Sequence, residues 1–349
     1  GGGELFKVAP FLQQAAKVLA GAKSPMLITR ASGRDSGAVQ PLVDLAELLG
    51  MPVFESSLGF VNFPQNHPLH ARGDVEGTLP DADVVVIMEV DVPWVPKRTG
   101  PNEDATIISI GVDPLYSNYP IRGYRSDLTL AGSPKETLTA LVEAVKQIGV
   151  DTIAAKGRIE QWSAAREKRI EAIAARAEAG KDQTPINKAY FSRELSKHLG
   201  DDTILLSELG VDTSQIEFIT PGTTYAGSPA GILGWAIGAS LGAKLAAPDK
   251  TVICTLGDGS YTFGVPSAGH IVSKIQNLPV LFIVWNNGIW NAVKSSAKNM
   301  NPAGVAASTD TWAFTNLDQE CNYEMYCQAS GGYGERVDDP AEVPAAIKR

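Results

Sequence analysis

The chain has 349 residues, 44% hydrophobic and 20% charged, a globular balance too long for one ordinary core, so two domains are expected. A net charge of −9 gives no electrostatic reason to bind nucleic acid or an anionic membrane, and no run of eighteen apolar residues is present to span one. Three cysteines, Cys254, Cys321 and Cys327, cannot all pair within one chain and lack close spacing, which points to a reducing, cytoplasmic setting and no structural zinc.

The opening "GGGELFKV" reads as a linker or cloning scar more than as a natural start. Four apolar runs then read as strands: "PMLITR" (25–30), "MPVFES" (51–56), "DVVVIMEV" (83–90) and "ATIISIGV" (105–112). Between the first two, "AVQPLVDLAELLG" places Leu42, Leu45, Ala46 and Leu49 on one helical face, with Gly50 as the stop. Continuous apolar strands separated by helices predict a parallel α/β sheet covered on both faces, a domain over 1–150. Residues 156–183, rich in Ala, Glu and Arg with both charge signs interspersed, predict a helical connector with a solvated face rather than a basic binding helix, within a linker over 151–184.

A second α/β domain follows over 185–349. Its strands are "TILLSELG" (203–210), "TVICTLGDG" (251–259) and "PVLFIVWNN" (279–287), and "GILGWAIGASLGAKLAA" (231–247) is the helix before the middle one. Gly231, Gly234, Gly238 and Gly242 recur on that segment at a spacing that lets a backbone or ligand approach. No internal repeat is evident.

In open parallel sheets, ligands bind beyond the carboxyl ends of the strands. "LGDGS" follows one predicted strand and "NN" ends the next, so if those strands are neighbours Asp258 and Asn287 converge on one ion. A carboxylate and an amide oxygen are hard ligands suited to Mg²⁺ or Ca²⁺, and a lone carboxylate fits Mg²⁺ shared with a phosphate. Gly259 frees a backbone N–H for that phosphate, and Ser260 adds a hydroxyl at the start of the next helix. The ligand implied is a metal–diphosphate. "GDGS" alone is only an Asx-Gly turn; its pairing with "NN" about thirty residues on is far more specific.

That pair, with "SPAGILGWAIGASLGAKLAAPDKTVICTLGDGS" upstream, resembles the thiamine-diphosphate-dependent enzymes of the acetolactate synthase, benzoylformate decarboxylase and pyruvate decarboxylase branch. The resemblance implies two doubly wound parallel-sheet domains, a Rossmann-like central domain and a diphosphate-binding domain. It implies thiamine diphosphate and Mg²⁺, with Asp258, Asn287 and the Ile289 carbonyl on the metal and Gly257, Gly259 and Ser260 at the diphosphate. Gly231 would offer its carbonyl to the aminopyrimidine, and Leu233 would be the apolar wedge that bends the cofactor; these two are the expected catalytic positions. Trp290 either shapes the pocket or is a buried anchor.

The first domain also resembles this branch, through "AELLGMPVFESSLGFVNFPQNHPLHARGD" and "IISIGVDPL". Where acetolactate synthases carry flavin-binding stretches, this chain has "ARGDVEGTL" and "VDVPWVPKR", which makes FAD doubtful. Asp113 is placed to hold a ribose or to close a strand-end turn, the turn being preferred. His67 matches a position that reaches the active site in benzoylformate decarboxylase, yet the same His-Pro recurs in the branch as a loop element, and the loop element is preferred. His198 and His270 read as surface or core histidines.

The activity implied is decarboxylation or carboligation of 2-oxo acids. No segment reads as the pyrimidine-binding domain of such enzymes. It is expected from a longer polypeptide, or from a separate subunit, in a homodimer or homotetramer or with a second chain. The contrasting reading is a non-catalytic cofactor-binding subunit. A dehydrogenase is disfavoured, because no GxGxxG follows the first strand.

Overall fold

In the first half of the chain, residues alternate between two buried faces, which is why its strands read as unbroken apolar runs. Leu27, Val53, Val84, Val86, Met88, Ile108 and Ile110 face one apolar cluster, while Met26, Ile28, Phe54, Val85, Ile87 and Ile107 face another. The computed structural model describes residues 2–56, 59–72, 75–227, 231–317 and 320–349. It divides into two units, one running through Ile173 and taking in Glu217–Gly222, the other holding Ala174–Ile216 and Thr223–Arg349.

The first unit contains α1 (Gly2–Ala20), β1 (Pro25–Thr29), α2 (Val39–Leu49), β2 (Val53–Glu55), α3 (Val75–Thr78), β3 (Val84–Met88), β4 (Thr106–Gly111), β5 (Leu128–Ala131) and α4 (Pro134–Ile148). Helix α5 (Thr152–Ala179) follows, and the boundary between units falls within it. The sheet is wholly parallel, in the order β2-β1-β3-β4-β5. Leu42, Leu45, Ala46 and Leu49 of α2 are buried in the core, and Gly50 ends the helix in a left-handed conformation. Strand β5 has no counterpart among the sequence-predicted strands: it is an edge strand of four residues whose burial alternates, so it lacks a continuous apolar run.

The second unit contains α6 (Lys188–Ser196), β6 (Thr203–Glu208), β7 (Thr224–Ala226), α7 (Trp235–Ala246), β8 (Thr251–Gly257), α8 (Asp258–Phe263), α9 (Pro266–Ile275) and β9 (Leu281–Trp285). Four short helices complete it: α10 (Asn291–Met300), α11 (Val305–Thr309), α12 (Glu324–Ala329) and α13 (Val343–Lys348). Its parallel sheet has the order β7-β6-β8-β9. The three-residue edge strand β7 likewise has no counterpart among the predicted strands. One expectation is corrected: the helix expected over 231–247 begins only at Trp235. Gly231 and Gly234 have φ of +66° and +77°, which no right-handed helix contains, so Gly231 and Leu233 lie in a loop ahead of it.

Among the described residues, no helix is long and apolar enough to cross a membrane.

Candidate functional site

In each sheet the chain runs outward in both directions from its first strand, leaving a crevice at the carboxyl ends where the order reverses. In the second unit that point lies between β6 and β8. Glu208 ends β6 and is 5% exposed, yet both its oxygens are used: Gly234 N–H donates to one at 2.6 Å and Ala236 N–H to the other at 3.0 Å. A buried carboxylate so placed fixes the start of α7 by satisfying amides that a helix N-terminus leaves unpaired. Gly234 also lies against the backbone of Gly264 and the Ser260 carbonyl, an approach that any side chain would block.

Asp258 stands just past β8 and is 2% exposed. Gly259 N–H donates to its Oδ1 at 2.9 Å, and Gly288 N–H donates to its Oδ2 at 2.8 Å. Strands β8 and β9 are neighbours with Gly257 level with Trp285, so the "NNG" loop leaves β9 beside Asp258. The Gly288 hydrogen bond then ties that loop to the carboxylate. Asn287 is exposed, and its Oδ1 accepts Ile289 N–H at 3.0 Å. The Ile289 carbonyl accepts Asn291 N–H at 2.8 Å.

Trp290 covers this turn. A Cβ on Gly259 would sit 2.5 Å from Cζ3 of its indole, so glycine is required there by contact with the ring. The Trp290 N–H donates to the Thr315 carbonyl at 2.7 Å, which holds the start of α10 in place. Ser260 is buried in the same turn. Tyr261 Oη and His270 Nε2 lie 2.5 Å apart, pinning α8 to α9; His270 is thus a core histidine, and burial lowers its pKa. His198 is exposed.

The structure therefore brings together Asp258, Gly259, Ser260, Asn287, Ile289 and Trp290. Gly231, exposed, and Leu233, half-buried, lie on the loop whose end Glu208 holds, next to α8 through Gly234. Whether these groups suit a metal–diphosphate can be judged from the oxygens they offer. Asp258, Asn287 and Ile289 present one carboxylate, one amide oxygen and one carbonyl, each accepting backbone N–H and each retaining further lone pairs. Among the described residues no group of three or more His, Cys, Asp and Glu is placed to hold a metal. A single carboxylate with neutral oxygens fits Mg²⁺ held jointly with a phosphate, and the residues fit that group.

Two charged residues here are absent from the candidates that the sequence suggests. Glu208 sits in "SELG", a strand-end carboxylate of the same form as "LGDG", and that pattern is the signal that could have found it. Lys188 opens α6 and donates to the Leu209 carbonyl at 3.0 Å; burial lowers its pKa, against the opposing pull of Asp212 and Asp258. Nothing local to Lys188 in the sequence marks it.

At the equivalent crevice of the first unit, between β1 and β3, the chain's own side chains pair with one another. Asp91 accepts from Arg30 at 3.1 Å and from the Tyr119 hydroxyl at 3.1 Å. Burial raises its pKa, but the Val92 amide, Arg30 and Tyr119 together hold it below the usual carboxylate range. Arg122 lies 5.0 Å from the Tyr116 ring and 5.2 Å from the Tyr124 ring, and donates to the carbonyls of Asp91 and Val90. Asp113 accepts both the N–H and the hydroxyl of Ser117, which makes it a strand-end turn. His67 is held by Glu47 at 3.1 Å and accepts Leu69 N–H, so both ring nitrogens are engaged within the first unit. His70 is buried against Glu55 at 2.9 Å, and burial lowers its pKa despite that carboxylate.

Residues 12–141 match the central domain of thiamine pyrophosphate enzymes, and residues 209–349 match their C-terminal TPP binding domain. The acetolactate synthase large subunit of Corynebacterium glutamicum is 26% identical over 295 residues, covering 79% of this chain and 45% of that protein. Sulfoacetaldehyde acetyltransferase of Castellaniella defragrans is 26% identical over 381 residues, covering 98% of this chain and 60% of that protein. Among solved structures, benzoylformate decarboxylase from Polynucleobacter necessarius superposes with a TM-score of 0.71 at 18% identity, over 97% of this chain and 61% of that one, a likeness of fold. The chain thus spans about half to three fifths of the length of these proteins.

Proposed function

We propose, from the premise that this chain belongs to the thiamine pyrophosphate enzymes, that it forms the central and diphosphate-binding domains of a thiamine-diphosphate- and Mg²⁺-dependent enzyme. The activity we propose is decarboxylation of a 2-oxo acid, or its joining to a second carbonyl, as an acetolactate synthase-like lyase or transferase. The observation that carries the reading is the 2.8 Å hydrogen bond from Gly288 to Asp258, which unites "GDGS" and "NNG" in one place.

In this reading Asp258, Asn287 Oδ1 and the Ile289 carbonyl hold Mg²⁺, and Gly257, Gly259 and Ser260 face the diphosphate. The Gly231 carbonyl would accept from the aminopyrimidine amino group, Leu233 would support the cofactor, and Trp290 would wall the turn against water. Bound there, thiamine diphosphate supplies an electron sink for the bond beside a 2-oxo acid carbonyl. The chain's own part is to fix that group. Asp258 neutralises part of the metal's charge while its second oxygen keeps the loop in register, and Glu208 keeps the Gly231–Leu233 loop against α8.

A flavin is not part of the proposal: the groups at the first crevice are paired with one another through Arg30, Asp91, Tyr119 and Arg122. The second unit exposes Ile232, Phe263, Val265, Ile271 and Ile275, each between 49% and 71%, on the loop before α7 and along α8 and α9. Apolar surface of this extent favours a covering partner. We propose that a pyrimidine-binding domain completes the site, within a homodimer or homotetramer or on a separate subunit. In the latter case this chain alone is a non-catalytic cofactor-binding partner. The free thiols suit a cytoplasmic setting.

Calorimetric titration with thiamine diphosphate, with and without Mg²⁺, tests the site, and a panel of 2-oxo acids tests the activity. Mass in solution, measured on the same sample, is expected to exceed one chain. Metal-independent binding, or a fully active monomer, contradicts the proposal.

A further inference from the structure

The ammonium of Lys188 is fixed by two neighbours: it donates to the Leu209 carbonyl at 3.0 Å and lies 5.3 Å from the centroid of the Trp285 ring. Leu209 follows the last residue of β6, and Trp285 is the last residue of β9. Strand β8 runs between those two, with Leu256 bridged to Leu209 and Gly257 level with Trp285. A cation held from both sides in this way stands at the carboxyl end of β8, where Gly257 passes into Asp258. Of the carboxylates whose charge acts on it, Asp212 has the larger effect and Asp258 the next.

We propose that Lys188 biases this site toward the metal–diphosphate pair and against metal alone. This rests on the reading of Asp258 as the metal's carboxylate. A fixed positive charge whose field reaches that carboxylate cancels part of its attraction for bare Mg²⁺. The metal–diphosphate end of the cofactor carries net negative charge, so the same ammonium attracts the pair. Two N–H groups remain on Lys188 beyond the one given to Leu209, and a lysine serves phosphate as a compact point charge. The site is thereby tuned against empty loading with metal alone.

The test compares the wild-type protein, Lys188→Met and Lys188→Arg. Three titrations are run by calorimetry: Mg²⁺ alone, inorganic pyrophosphate with Mg²⁺, and thiamine diphosphate with Mg²⁺. Loss of one partly buried charge is expected to tighten bare Mg²⁺ binding by about threefold or more and to weaken both diphosphate ligands about tenfold. Lys188→Arg keeps the charge and is expected to move both affinities back toward wild type from the Met variant, incompletely because a planar guanidinium is bulkier than an ammonium. Opposite signs on metal and diphosphate are the decisive readout, since a folding defect weakens both. If Lys188→Met weakens both or alters neither while the wild type binds metal-dependently, the inference about Lys188 fails and the site reading stands. If the wild type itself shows no metal-dependent diphosphate binding, the site reading fails and takes the inference with it.

Discussion

The two sheets are wired alike, with the second strand beside the first and the third and fourth on the other side. Each therefore has a crevice at the same topological point, and the two crevices differ in what fills them. In the first unit Asp91 accepts from Arg30 and Tyr119, and Arg122 lies over the rings of Tyr116 and Tyr124, so charges meet charges and rings. In the second unit, among the described residues, Glu208 and Asp258 accept from backbone amides of the segments they hold. A carboxylate committed to backbone N–H groups keeps its charge and spare lone pairs for a cation, whereas one paired with arginine is already neutralised. Strand order selects where a site can form; on the proposed reading, the partners of the strand-end carboxylates decide which crevice becomes one.

Removing the carboxylate of the second crevice is the severest way to break this contrast. Asp258→Ala is expected to lower thiamine diphosphate affinity in Mg²⁺ by about a hundredfold or more, because the one charged ligand of the proposed metal site is lost; unchanged affinity by calorimetry would refute the metal assignment. Next in size, Gly259→Ala drives a methyl into the Trp290 ring and is expected to weaken binding about tenfold. Combining it with Trp290→Leu should recover part of that loss, and a purely additive double mutant would show the contact to be unimportant. Asn287→Ala is expected to cost about three- to tenfold, since water can replace a neutral amide oxygen on Mg²⁺. A loss as large as that of Asp258→Ala would reverse the ranking of the two ligands.

The first crevice should respond in the opposite manner. Asp91→Ala is expected to leave cofactor affinity unchanged and to reduce stability by about 1–2 kcal/mol in urea unfolding, as befits a partly exposed network. A loss of cofactor binding there would erase the distinction between the two crevices. The smallest effect is one of pH. Burial keeps the folded pKa of His70 below its ordinary 6.5, so the unfolded chain binds more protons in that range. Its contribution to stability is present above pH 6.5 and is lost as pH falls through the folded value. Urea midpoints on either side of that range should drop on the acid side, and His70→Gln should flatten that part of the profile.

Much of this architecture is legible in the chain itself, for a definite reason. Strands β1, β3, β4, β6 and β8 are buried on both faces and so read as apolar runs, whereas β5 and β7 are short edges with no such run. Asp258 and Asn287 are conspicuous because one directly follows β8 and the other stands two residues beyond β9. The true start of α7 is hidden because glycine spacing alone does not reveal that Gly231 and Gly234 adopt positive φ. Glu208 and Lys188 gain their meaning from Gly234, Ala236 and Leu209, twenty or more residues away, and only the fold supplies those partners.

Whether Asp258 and Asn287 hold the metal is decided by growing crystals with thiamine diphosphate and Mn²⁺ in place of Mg²⁺ and locating the ion by its anomalous scattering. One strong peak is expected within coordination distance of Asp258 and Asn287, with the diphosphate beside Gly259 and Ser260, and no peak when Asp258→Ala is used. A fully occupied ion elsewhere, with Asp258 still bonded only to Gly259 and Gly288, would contradict it.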